Sequence, residues 1–224
     1  MVVILSFIIF LFAVYTLSKD DFILLRRNVS LEQVFDSAFL MAIFALLIAR
    51  IVFVGLHFKT DYLNPLVFFL VPYFPGLSLA GGLIGSLAFL WFYTRFFKIP
   101  TGRIVDIFSV SFISAFSSGL FILGILSIVQ KAYLLSAITF IASLLSFFVS
   151  FLGNRIFFNV KWRDGALSLF MLFFSSVFYI GWHILSLLLQ KQSLFDKEFV
   201  IFAILLLLVG IISVRYATLP HKKI

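Results

Sequence analysis

Apolar residues run almost unbroken for 16 to 24 positions at a time along this chain, and short clusters of charged residues separate the runs. Strand-like alternation is absent. A helix rising about 1.5 Å per residue needs about 20 such residues to cross about 30 Å of hydrocarbon, so the pattern predicts transmembrane helices and not a barrel. Seven spans follow: 2–17, 34–55, 79–97, 104–126, 134–152, 166–189 and 199–214. A further apolar piece, 65–75, carries Pro65, Pro72 and Pro75 and is too short to cross, which predicts an interfacial or re-entrant segment. Local signals mark two boundaries. Ser30 with Gln33 makes a capping box that opens the second span, and Pro100 with Thr101 separates the third from the fourth.

Composition agrees with this all-α, polytopic reading and removes other classes. Of 224 residues, 63% are hydrophobic and 12% charged, and the mean hydropathy is +1.22, far from a soluble domain. No linker or soluble portion stands out, so 1–224 is expected to be a single transmembrane domain. There is no cysteine, three scattered histidines make no metal site, and no residue pattern calls for a cofactor. The net charge of +8 lies in short loops, where it serves topology and not nucleic acid. With the N-terminus outside, twelve of the 17 Lys and Arg fall in inner loops: Lys19, Arg26, Arg27, Arg95, Lys98, Arg103, Arg155, Lys161, Arg163, Arg215, Lys222 and Lys223. Only Lys59, Lys131, Lys191 and Lys197 fall outside, and Arg50 stands within a span. The positive-inside rule therefore predicts N out and C cytoplasmic. Segment 2–17 has no basic residue before it and three after it, so it is expected to be a retained first helix and not a secretory signal.

Few polar residues are left for chemistry. Gly81 and Gly85 form a GxxxG pair at the outer end of the third span, with Gly82 beside them and Gly76 just before; bare helix faces of this kind let another backbone approach closely. A nucleotide cradle would need a strand before the glycines and a basic residue after them, and neither is present. Arg50 lies about 24 Å along its helix from the inner face, where it either snorkels to the headgroups or holds a lipid phosphate. Asp106 and Asp36 stand near the starts of their spans and suit helix N-termini. His183, mid-span, is expected to bond a backbone carbonyl or a serine, and His57 to be solvated. The serines of the fourth and fifth spans, Ser109, Ser111, Ser114, Ser117, Ser118, Ser143 and Ser146, either stitch helices together or line a pocket for a lipid glycerol.

The run DYLNPLVFFLVPYFPGLSLAGGLIG, residues 61–85, resembles the segment leading into the third helix of the prolipoprotein diacylglyceryl transferase family, where Asn-Pro precedes a Gly-Met-Ser-Phe-His-Gly-Gly motif. Upstream, RRNVSLEQVFDSAFLMAIFALLIARIVFV resembles the family's basic loop and its Gly-Ala-Arg-Leu-Gly-Tyr-Val helix ending, with Ala49 and Arg50 as the Ala-Arg pair. Downstream, RIVDIFSVSFISAFSSG resembles the Arg-Val-Ala-Asp-Phe stretch that leads to the family signature. The resemblance covers residues 20–126. It implies a bacterial inner-membrane protein of seven spans, N out and C in, with phosphatidylglycerol as lipid partner and a prolipoprotein signal peptide as a further one. It also implies a lipid-binding role for Arg50, Ser78, Gly81 and Gly82, and structural roles for Asn64, Gly85, Asp106 and Gly119.

Enzymes of this family move the diacylglyceryl group of phosphatidylglycerol onto a lipobox cysteine, which requires a base near the thiol and cationic donors for the departing phosphate. Ala80 stands at the position of the motif His, and Leu120 at that of the signature Arg, followed by Phe121, Ile122 and Leu123. Of the family's His-Pro-x-x-Leu-Tyr-Glu stretch only Tyr133 remains, with Leu135 in the Glu position. No catalytic residue is assigned, and negligible turnover by the family mechanism is expected. The other function weighed is a non-catalytic membrane protein that binds lipid or a partner on the same fold.

Overall fold

In the computed structural model, residues 2–58, 76–159, 164–190 and 197–218 are described. Each predicted span lies in a helix to within one residue, and the helices among the described residues are α1 (Val2–Ser18), α2 (Phe22–Arg26), α3 (Leu31–Leu56), α4 (Leu79–Phe96), α5 (Thr101–Val129), α6 (Tyr133–Asn159), α7 (Ala166–Gln190) and α8 (Lys197–Thr218). Among the described residues there is no strand. The predicted segment 65–75, Asn64 and the side chain of His183 lie outside the description.

Side chains decide where these helices begin. The Ser30 N–H donates to Gln33 Oε1 at 3.3 Å and the Gln33 N–H to Ser30 Oγ at 3.2 Å, so the capping box opens α3 at Leu31, three residues before the predicted start. Pro100 is the N-cap of α5, which therefore begins at Thr101. Asp21 starts the short α2 by accepting from the Ile23 and Leu24 N–H groups. Helix ends are set differently: Asn28, Lys98 and Lys131 have positive φ after α2, α4 and α5. At two of these ends the bonds Val29 N to Leu24 O and Ala132 N to Ser127 O close the last turn, as in a Schellman motif, without glycine.

Among the described residues, four helices are long and apolar enough to cross a membrane: α3, α4, α5 and the Tyr133–Phe157 part of α6. Shorter apolar stretches of 10–17 residues are α1, Ala166–Trp182 of α7 and Phe199–Val209 of α8. Polarity is distributed as a bilayer requires. Phe12, Phe92, Leu144 and many other large apolar side chains face outward, while Ser111, Ser117, Ser143, Ser146 and Ser150 are buried.

The described residues divide into two compact units, one holding 2–35 and 99–171 and the other 36–98 and 172–218. In the first, α1 packs along α5, with an edge contact between Phe10 and Phe108 at 5.7 Å. The hairpin of α5 and α6 is laced by serines. Ser117 Oγ donates to Ser143 O at 3.0 Å, Ser143 Oγ returns a bond to Ser117 O at 2.8 Å, and Ser136 Oγ donates to Gly124 O at 3.0 Å. In the second unit α3 and α4 run antiparallel, with Phe44 stacked on Phe89 at 4.8 Å, and Tyr179 of α7 stacks on the fully buried Phe202 of α8 at 3.9 Å.

Candidate functional site

The predicted lipid-site residues Arg50, Ser78, Gly81 and Gly82 converge within the second unit, where α3 meets the start of α4. Close approach is what brings them together. A Cβ on Gly81 would fall 2.8 Å from Val52 Cβ and 3.0 Å from Ile48 O, and one on Gly85 would fall 2.6 Å from Ile48 Cβ, so both positions exclude a side chain. Gly82 is less tight, with 3.7 Å to Ala49 Cβ. Two glycines thus fit the α3 backbone, and the third only borders it.

Two successive residues of α3 hold the chain as it runs into α4. Arg50 Nη1 donates to Gly76 O at 2.8 Å, and Ala49 O accepts from Ser78 N at 3.1 Å. Arg50 is buried, 2% exposed, and its guanidinium carbon stands 5.8 Å from the centroid of the Phe53 ring. Gly76 takes a φ of +149°, and the Phe53 ring occupies the place that a Cβ there would need. Ser78, buried at 1% exposure, is the N-cap of α4: its Oγ accepts from Gly81 N at 3.1 Å. Arg50 and the positive end of the α4 dipole therefore meet at the backbone segment Gly76–Ser78, a combination that suits an anion. Ala80 lies within the first turn and is fully buried.

The α5 residues singled out from the sequence serve the first unit. Gly119 faces α1, where a Cβ would stand 2.9 Å from Ser6 Oγ. Leu120 is buried at 7% exposure. Asp106 caps a helix, though not the one it belongs to: Oδ2 accepts from Gly165 N and Oδ1 from Ser168 N, both at 2.7 Å, at the start of α7. Asp36 is exposed on the second turn of α3, whose cap is Ser30. His57 is exposed, stacked on Phe53 at 4.7 Å, with Nδ1 3.3 Å from Phe53 O. Tyr133 is exposed at the start of α6.

Two participants were missed in the sequence reading, the Ala49 carbonyl and the Phe53 ring, and in the first unit so was Asp21, which holds Arg103 in an ion pair. Only Asp21 left a trace, being an Asp immediately before an apolar run, the ordinary mark of an N-cap.

A family model for prolipoprotein diacylglyceryl transferase matches residues 1–121, which include α1 to α4 and most of α5. Comparison with curated proteins and with solved structures gives no match.

Proposed function

The chain belongs to the prolipoprotein diacylglyceryl transferase family, and from that premise we propose that it is a phospholipid-binding member that does not carry out the transfer. The carrying observation is Ala80: a fully buried methyl group stands where the resemblance puts the motif histidine. A methyl accepts no proton, and Leu120, at the position of the signature arginine, holds no phosphate. Loss of one electrostatic donor of this kind raises a barrier by about 3–4 kcal/mol, and here the base is absent as well.

The proposed lipid site is the segment Gly76–Ser78, with Arg50 and the α4 N-terminus supplying positive potential and Gly81 and Gly82 admitting α3 beside it. Phosphatidylglycerol is the proposed lipid. The chain is proposed to cross the bacterial inner membrane seven times as one transmembrane domain, with its N-terminus outside, its C-terminus in the cytoplasm, and a signal peptide as the protein partner. The excess of Lys and Arg in the assigned inner loops supports this orientation.

Two measurements test the two halves. In cells depleted of the authentic transferase, expression of this chain is expected to yield no thioether-linked diacylglyceryl on a prolipoprotein, and lipidated product would overturn the inactive reading. Native mass spectrometry of protein extracted from the membrane is expected to show retained phosphatidylglycerol that is reduced in Arg50→Ala. Equal retention in the two proteins would overturn the assigned lipid site.

A further inference from the structure

The start of α5 carries two opposite charges one turn apart, Arg103 and Asp106, an arrangement that on an isolated helix would form an (i, i+3) pair. Here each reaches a different element. Arg103 Nε donates to Asp21 Oδ2 at 2.7 Å, Nη2 lies 2.5 Å from the same oxygen, and the guanidinium carbon sits 3.7 Å from the centroid of the Phe157 ring of α6. The other oxygen of Asp21 accepts from Ile23 N and Leu24 N, both at 3.0 Å, so one carboxylate both starts α2 and holds Arg103. Asp106 commits both oxygens to the first turn of α7. Gly102, beside them, admits the α7 approach: a Cβ there would stand 2.8 Å from the carbonyl carbon of Asp164. One helical turn is therefore joined to the α1–α2 corner, the end of α6 and the start of α7.

We propose that this turn is a two-headed latch, in which Arg103 docks the α1–α2 corner, Asp106 fixes the start of α7, and the two heads open independently. The Asp21 side chain is fully buried and that of Arg103 is 17% exposed. Removal of either partner leaves an uncompensated charge in a closed site, which is expensive, and the corner gives way before the rest of the fold does. The Asp106 carboxylate accepts from the Gly165 and Ser168 N–H groups at the start of α7, so its loss loosens α7 and leaves the corner in place.

The natural absence of cysteine makes the latch measurable with single thiol reporters. Ser18→Cys reports the corner: Ser18 is 3% exposed and its hydroxyl has no hydrogen-bond partner, so the replacement breaks no bond. Leu167→Cys, also at a position 3% exposed, reports the start of α7. Maleimide labelling in detergent is slow at both sites in the otherwise unaltered protein. Asp21→Asn keeps a good cap for α2 but removes the charge pair, and raises labelling at position 18 by about tenfold or more while position 167 stays protected. Arg103→Met does the same, and Arg103→Lys gives a smaller rise. Asp106→Asn shows the reverse, exposing position 167 and not position 18. Labelling that rises equally at both positions in every variant, or at neither, would overturn the latch, and so would an Arg103→Lys protein as open as Arg103→Met.

Discussion

One methyl group added in turn to three neighbouring glycines of α4 tests whether α3 and α4 touch backbone to backbone. Carbon atoms rest about 3.5–4.0 Å apart. A Cβ at position 81 would lie 2.8 Å from Val52 Cβ and 3.0 Å from Ala49 Cα, and one at position 85 would lie 2.6 Å from Ile48 Cβ and 2.9 Å from its Cγ1. Gly81→Ala and Gly85→Ala must therefore push the helices apart by roughly an ångström, while Gly82→Ala, at 3.7 Å from Ala49 Cβ, meets an ordinary contact. Overpacking of this kind costs about 1–3 kcal/mol, and alanine returns up to about 1 kcal/mol over glycine within a helix. The expected net loss is about 1–2 kcal/mol for Gly81→Ala and Gly85→Ala, with Gly82→Ala neutral or stabilising. Tm values in detergent give the ranking directly. A reporter pair, Ala49→Cys with Gly82→Cys, gives the spacing, since 3.7 Å lies in the disulfide range of about 3.5–4.5 Å between Cβ atoms. The pair oxidises readily, and Gly85→Ala added to it slows oxidation several-fold. Equal Tm shifts at all three positions, or oxidation indifferent to Gly85→Ala, would refute the close approach.

Other consequences are sharper in direction than in size. Ser78→Ala removes the α4 cap and lowers stability by about 1 kcal/mol, whereas Ser78→Asp keeps it, as paired Tm measurements will show. Gly76→Ala requires a strained φ and displaces the Phe53 ring, so its Tm falls further than that of Ser78→Ala, and Phe53→Leu recovers part of the loss. Ser117→Ala and Ser143→Ala each remove one hydroxyl-to-carbonyl bond between α5 and α6; each is expected to lower stability by about 0.6 kcal/mol and the double variant by about the sum, and an unchanged Tm in either single variant would deny the lacing. Ser6→Cys with Gly119→Cys joins α1 to α5 on oxidation, because the Cβ positions lie 4.0 Å apart.

Helix positions were legible because apolar run length and caps are local properties. The box of Ser30 and Gln33 and the break at Pro100 set boundaries that the structure places within three residues of the predicted ones. The five-residue helix α2 was missed, since so short an element has no periodicity to read and depends on one Asp21 carboxylate. Close packing at Gly81 and Gly85 follows from the missing side chains, so glycine spacing revealed it in advance. Pairings across long separations were not legible. Arg103 reads as one more basic loop residue, and nothing local to it points 82 residues back to Asp21. Asp106 shows the same limit: its type and place suited a helix N-terminus, but which N-terminus is a matter of tertiary packing, and the one it caps belongs to α7. At the proposed lipid site, Arg50, Ser78 and the glycines were singled out from the sequence and stand together in the structure, while the Ala49 carbonyl that receives Ser78 is a backbone group common to every residue.

The most direct test of the central claim is chemical turnover. Purified protein is incubated with phosphatidylglycerol and a lipobox peptide bearing one cysteine, beside an active family member, and the peptide is weighed by mass spectrometry. With Ala80 and Leu120 in place of a base and a cation, the peptide is expected to keep its free thiol while the active enzyme modifies it. A peptide gaining the mass of a diacylglyceryl group, at a rate above the protein-free control, would contradict the account.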